Sequence, residues 1–166
     1  MRKFQKIAIL SLTSVLALSL TSCAAGPNAE TRLTNKVTDG QEIVLDQNGN
    51  NIRISNLLIV ATKDGAGVIV GHIVNRLEEN DALISISSNG IPAVITGETI
   101  LRANAPLHFE GESANIKAVI TGLNLVVGTN IQLTLGFARA GIQTVNVIVR
   151  DQSEIYADVT AQPSSL

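Results

Sequence analysis

His72 and His108 are the only histidines of this chain, and with Cys23 and Met1 they complete its stock of imidazole and sulfur side chains. Imidazole can act as a base or hold a metal ion. His72 stands in a strand-like run, V68-I-V-G-H-I-V-N75, in step with Val68, Val70 and Val74, so it belongs in or beside a core. His108 follows Pro106 and Leu107 and precedes Phe109, which suggests a partly exposed loop. A catalytic triad needs a nucleophile beside a positioned base, and no neighbour in sequence supplies one to either histidine. Both remain candidate metal ligands, although nothing local brings them together. The carboxylates offer less. Residues 46–51 (DQNGNN) begin like a calcium loop, but the glycine is misplaced and the twelfth position is Leu57 instead of a bidentate glutamate. A hairpin turn is the expected reading. Glu78, Glu79 and Asp81, and Glu110 and Glu112 around Gly111, read as solvated acidic loops. The chain holds no phosphate-cradling Walker loop, nucleophile elbow or HExxH pair. It is expected not to be an enzyme.

Cys23 has a different setting. Arg2, Lys3 and Lys6 precede an apolar run at residues 7–20 that is too short for a membrane helix, which takes about 20 residues. This is the pattern of a secretory signal. The run ends in Leu20-Thr21-Ser22-Cys23, which resembles the lipobox of bacterial lipoproteins. That resemblance implies removal of residues 1–22 and lipidation of Cys23. Two acyl chains on one residue suffice for stable anchoring. A lone thiol also has no partner for an intramolecular disulfide. The expected location is the extracytoplasmic face of a bacterial membrane, with the membrane itself a partner through lipid on Cys23.

The elements that must position these groups are strands. Residues 23–40 lack apolar periodicity and read as a flexible, lipidated tether. From residue 41 to 150 short alternating segments follow one another, expected near 41–45, 52–60, 68–75, 82–87, 93–96, 115–121, 130–137 and 144–150. In the clearest, Ile131, Leu133, Leu135 and Phe137 point one way and Asn130, Gln132, Thr134 and Gly136 the other. Val145, Val147 and Val149 repeat the pattern after a hairpin connection at residues 138–141. Asn48-Gly49, Asp64-Gly65 and Asn89-Gly90 punctuate the earlier strands with turn signals. The expected fold is all-β, an antiparallel sandwich or barrel of cupredoxin-like or immunoglobulin-like type. Residues 151–166 are polar and expected to be loose. The net charge of −2 becomes more negative once the three basic residues of the signal are removed, so nucleic acid is not an expected partner. The chain has no Trp, one Tyr and three Phe, too few for an aromatic binding platform.

Two stretches together resemble the PCu(A)C family of periplasmic copper chaperones and their actinobacterial lipoprotein relatives. The first is HIVNRLEENDALISISS (72–88), with Asn75, Asp81, Leu83 and the serines up to Ser88. The second is IKAVITGLNLVVGTNIQLTLGFARAGIQTVNVIV (116–149), with Gly122-Leu123, Gly128, Thr134-Leu135-Gly136-Phe137, Ala140-Gly141 and the valines from Val145 to Val149. The resemblance covers roughly residues 52–150 and implies a cupredoxin-like fold. It also implies a copper site of His and Met side chains, including a His-x-Met pair just before Gly-Leu. Residues i and i+2 of a strand share a face, so such a pair can grip one soft ion. Here those positions hold Lys117 and Val119, and residues 93–98 (AVITGE) contain neither His nor Met. The copper ligands are therefore expected to be lost and no cofactor is expected. The function expected is that of a non-catalytic binding or accessory lipoprotein, for an unidentified protein partner in a respiratory or cell-envelope complex. A copper chaperone using His72 and His108 as unusual ligands, and a structural surface lipoprotein, are the alternatives.

Overall fold

The computed structural model describes residues 39–162; the signal segment, Cys23, nearly all of the 23–40 tether and the last four residues lie outside the described residues. Eleven strands follow in order: β1 (Gln41–Leu45), β2 (Ile52–Ala61), β3 (Gly67–Asn75), β4 (Asp81–Ser88), β5 (Ile91–Pro92), β6 (Val94–Gly97), β7 (Ile100–Leu101), β8 (Leu107–His108), β9 (Ile116–Ile120), β10 (Asn130–Phe137) and β11 (Gly141–Asp151). A 3-10 turn at Glu154–Tyr156 comes last. The all-β expectation holds. Among the described residues no helix is long and apolar enough to cross a membrane.

The main path of the sheet runs β5-β4-β10-β11-β2-β3-β9-β6, with β1 added to β2, β7 to β4 and β8 to β3. The two ends of this path, β5 and β6, are separated in the chain only by Ala93. The sheet therefore curls back on itself into a nearly closed barrel, which leaves little open edge. The strand pairings are antiparallel except that of β11 with β2.

The inward faces are those that alternation marks. Leu133, Leu135 and Phe137 of β10 meet Val147 and Val149 of β11, Ile52, Ile54, Leu57 and Ile59 of β2, and Ile69 and Ile73 of β3 in one core. Each such side chain contributes about 1.5–3 kcal/mol by leaving water. Asn89-Gly90 joins β4 to β5 with φ of 49° and 78°, the two positive values that a two-residue type I′ turn needs.

One irregularity shapes the rest of the molecule. Pairing of β2 with β3 slips between Ser55 and Leu58. Asn56 takes φ 52° there, opposite Gly71 at φ 143°. A Cβ on Gly71 would lie 3.1 Å from backbone atoms of Ser55, Asn56 and Leu57, so only glycine suits this close approach. The bulge inserts one residue and changes which parity faces inward. Ile52 and Ile54 point into the main core before it, and Leu57 and Ile59 after it. Leu58 and Val60 are turned outward, beside Val68 and Val70 of β3, and need a cover.

The chain beyond β11 provides that cover, contrary to the expectation of a loose tail throughout. Tyr156 and Val159, 7% and 6% exposed, pack on this outer row. The Gln152 side chain ties the segment down, donating to the Val159 carbonyl at 2.8 Å and accepting from the Lys63 N–H at 2.9 Å. The polar composition of the tail hides two apolar side chains that a bulged sheet can use.

Two residues that carry the family resemblance prove to be structural. Asn75 is buried and donates to the carbonyls of Glu79 and Leu101, while its Oδ1 accepts the Leu77 N–H. Asp81, expected on a solvated loop, is 5% exposed. Its carboxylate accepts the N–H groups of Ala82, Arg139 and Ala140 and so clasps the β10–β11 hairpin to β4. Glu78 and Glu79 of that acidic run keep to the surface, Glu79 in an ion pair with Arg139 at 2.8 Å.

Candidate functional site

The structure brings the two histidines together. β3 and β8 pair antiparallel with His72 opposite His108, and the Nδ1 atoms lie 2.7 Å apart. The rings meet edge to face, with centroids 4.7 Å apart and planes at 71°. His108 is thus a strand residue, not the loop residue expected. Alternation in its neighbourhood is short but strict, since Leu107 and Phe109 on either side are buried in the core. Asn115 fixes the backbone there: its Oδ1 accepts the His108 N–H at 2.8 Å, its N–H donates to the His108 carbonyl at 3.0 Å, and its Nδ2 donates to the Pro106 carbonyl. His72 stands on the outer row of β3 beside Val70, as its spacing implied, and both histidines are half-buried.

Burial holds the His72 pKa below the usual 6.5, and the neighbouring His108 acts in the same direction; Glu42 pulls it back. At this separation one Nδ1–H can donate to the lone pair of the other ring. Next to His72 a cleft opens, lined also by Asn56, Glu110, Glu112, Tyr156 and Asp158. The histidines lie 36 residues apart in the chain, and only the register of β3 with β8 joins them.

A second group of side chains occupies the β6–β9 pair. Val94 faces Val119 and Thr96 faces Lys117 across the two strands. These four line one shallow groove with Thr121 and Ala161. Lys117 and Val119 are the positions at which the resemblance implies a His-x-Met pair. The groove offers two hydroxyls, an ammonium and two valines, and this set does not fit a soft Cu(I) ion, which selects thiolate and thioether ligands. The Lys117 side chain is 5% exposed and that of Glu110 is 16% exposed, with Nζ 3.1 Å from Oε1. Oε1 has no hydrogen-bond partner, so this is an ion-pair contact and not an aligned hydrogen bond. Burial raises the Glu110 pKa above its usual 4.5, and Lys117 only partly offsets this. Glu110 was expected in solvent; its reversal follows from Lys117, whose charge is buried on β9 and needs a counterion. Among the described residues no group of three or more His, Cys, Asp and Glu side chains is placed to hold a metal ion.

No family model matches this chain. No curated protein matches it either. Solved structures do. The apo PCuAC domain from PmoF1 aligns with a TM-score of 0.55 at 18% identity, over 67% of this chain and 99% of that domain. The copper-bound PCuAC domain from PmoF2 aligns with a TM-score of 0.55 at 17% identity, over 67% and 98%. The apo PmoF2 PCuAC domain gives 0.54 at 17% identity, over 68% and 96%. The nearly closed, all-β domain of this chain has the fold of PCuAC domains.

Proposed function

We propose that this protein is a lipid-anchored, extracytoplasmic, non-catalytic accessory protein that binds a protein partner at a bacterial membrane surface. The observation that carries this reading is the content of the β6–β9 groove. The fold is that of a domain solved elsewhere with copper, yet a buried Lys117–Glu110 ion pair and two valines stand where a soft-metal site is implied. Function resides in the site and not in the fold, so the groove argues for a binding role over Cu(I) transfer through those positions. Signal cleavage before Cys23, lipid on Cys23 and a tether over 23–40 supply the anchor, on the strength of the Leu20-Thr21-Ser22-Cys23 motif.

The test has two arms on cells expressing the full chain. Mass spectrometry of the N-terminal peptide should show a diacylglyceryl group on Cys23, and Cys23→Ser should shift the protein out of the membrane fraction. Crosslinking at the membrane followed by purification should then recover a defined protein partner, and less of it from the Cys23→Ser strain. An unmodified thiol on a membrane-free protein would refute the anchor. Stoichiometric Cu(I) uptake abolished by Lys117→Ala would refute the accessory reading.

A further inference from the structure

We propose that His72 and His108 form an open, two-imidazole site for a divalent late first-row transition ion such as Zn²⁺ or Cu²⁺. The site lies away from the Lys117–Val119 pair.

Geometry comes first. A hydrogen shared between two Nδ1 atoms at 2.7 Å means that the N–H of one ring and the lone pair of the other converge on one point. An ion at that point sits about 2.0–2.1 Å from each nitrogen, and tetrahedral coordination then needs the nitrogens roughly 3.3 Å apart. The nitrogens have to separate by about 0.6 Å and the rings to tilt until their lone pairs meet at the tetrahedral angle, which a change of χ angles provides. Both backbones are already held, His72 in the middle of the long strand β3 and His108 by Asn115.

The proton balance is simple. Two Nδ1 atoms at 2.7 Å hold one Nδ1–H between the rings. When the ion enters, that hydrogen leaves Nδ1 and a hydrogen is taken up at Nε2 of the same ring from solvent. Both imidazoles stay neutral, both Nδ1 lone pairs bind the ion, and no net proton is released from the pair.

The surrounding charge favours a cation. Glu42 is near enough to His72 for its carboxylate to favour positive charge there. Glu110, Glu112 and Asp158 line the adjoining cleft, which among the described residues no Lys or Arg lines. Lys117 contacts Glu110 and leaves the other two carboxylates uncompensated by it. Imidazole nitrogen with oxygen donors suits Zn²⁺, Ni²⁺ and above all Cu²⁺ in the Irving–Williams order, and it does not suit calcium or magnesium. With two protein ligands and no third grouped beside them among the described residues, water fills the remaining positions. The ion is exchangeable and open to a further ligand from outside.

The experiment uses the full chain in detergent, without a purification tag and with Cys23→Ser so that the thiol does not compete. Calorimetric titration with Zn²⁺ and with Cu²⁺ should show one ion per chain, with a Kd on the order of 1–100 µM for Zn²⁺ and tighter for Cu²⁺. His72→Gln and His108→Gln should each weaken binding about tenfold or more. Electron paramagnetic resonance of the Cu²⁺ complex should show coupling to two imidazole nitrogens, a readout on the unsubstituted histidine pair that stands if either variant fails to fold. No uptake of either ion, undiminished uptake in both variants, or a Cu²⁺ spectrum without imidazole coupling would each overturn the proposal and leave the pair as a structural hydrogen bond.

Discussion

Glu110→Gln should destabilise this domain far more than its place beside Gly111 and Glu112 in the sequence suggests. The substitution leaves the Lys117 ammonium, 5% exposed, without its counterion at 3.1 Å. At an effective dielectric of 20 that contact is worth about 5 kcal/mol of attraction. Removing one member of a buried pair costs about 3–5 kcal/mol in measured cases. Glutamine can still accept a hydrogen bond and Glu110 is 16% exposed, so the low end applies, roughly 3 kcal/mol. For a domain of this size that lowers Tm by roughly 10 °C. Lys117→Met combined with Glu110→Gln removes both charges and fills the site with apolar volume, and it should recover most or all of the loss. Urea and thermal unfolding of the wild type, both single variants and the double variant complete the cycle. A Glu110→Gln variant within about 0.5 kcal/mol of the wild type at pH 7, or a double variant less stable than either single one, would refute the reasoning.

Leu133→Asp should cost several kcal/mol, because Leu133 is fully buried in the main core, while Gln132→Lys on the exposed face should stay within about 0.5 kcal/mol in the same unfolding assay. Asp81→Asn should cost about 2–3 kcal/mol and loosen the β10–β11 hairpin in amide exchange, since an amide cannot accept all three N–H groups that the carboxylate holds. His72 has a folded pKa below 6.5, so its contribution is present above that value and is lost as pH falls through the folded pKa. His72→Gln should accordingly flatten the stability profile below pH 6.5, as followed by thermal unfolding.

Much of the fold could be read from local pattern, and the reason is period. Ile131, Leu133, Leu135 and Phe137 alternate with polar neighbours, so the inward face of β10 follows from its own residues. Asn89-Gly90 marks a turn because its backbone needs two positive φ values. Asn75 and Asp81 could be picked out as a family-like pattern, and the structure explains why such a pattern speaks for the fold alone. Both hold backbone N–H and carbonyl groups in place. The absence of sulfur and imidazole at Lys117 and Val119 was equally plain.

What the sequence could not contain is which strands lie side by side, because pairing depends on register between segments far apart in the chain. His72 and His108 meet only because β8 adds to β3 in one register; a slip of one residue would set Leu107 or Phe109 opposite His72 and turn the imidazole of His108 inward. Glu110 looked solvated from its acidic neighbourhood, but the charge of Lys117 on the adjoining strand draws it under cover. The bulge at Asn56, made possible by Gly71, turned Leu58 and Val60 outward and so gave Tyr156 and Val159 a surface to cover in a tail whose own composition is polar. Alternation is a property of one strand and survives in the one-dimensional chain. Partnership, burial of charge and the position of a bulge are properties of two or more strands, and they are decided when the barrel closes.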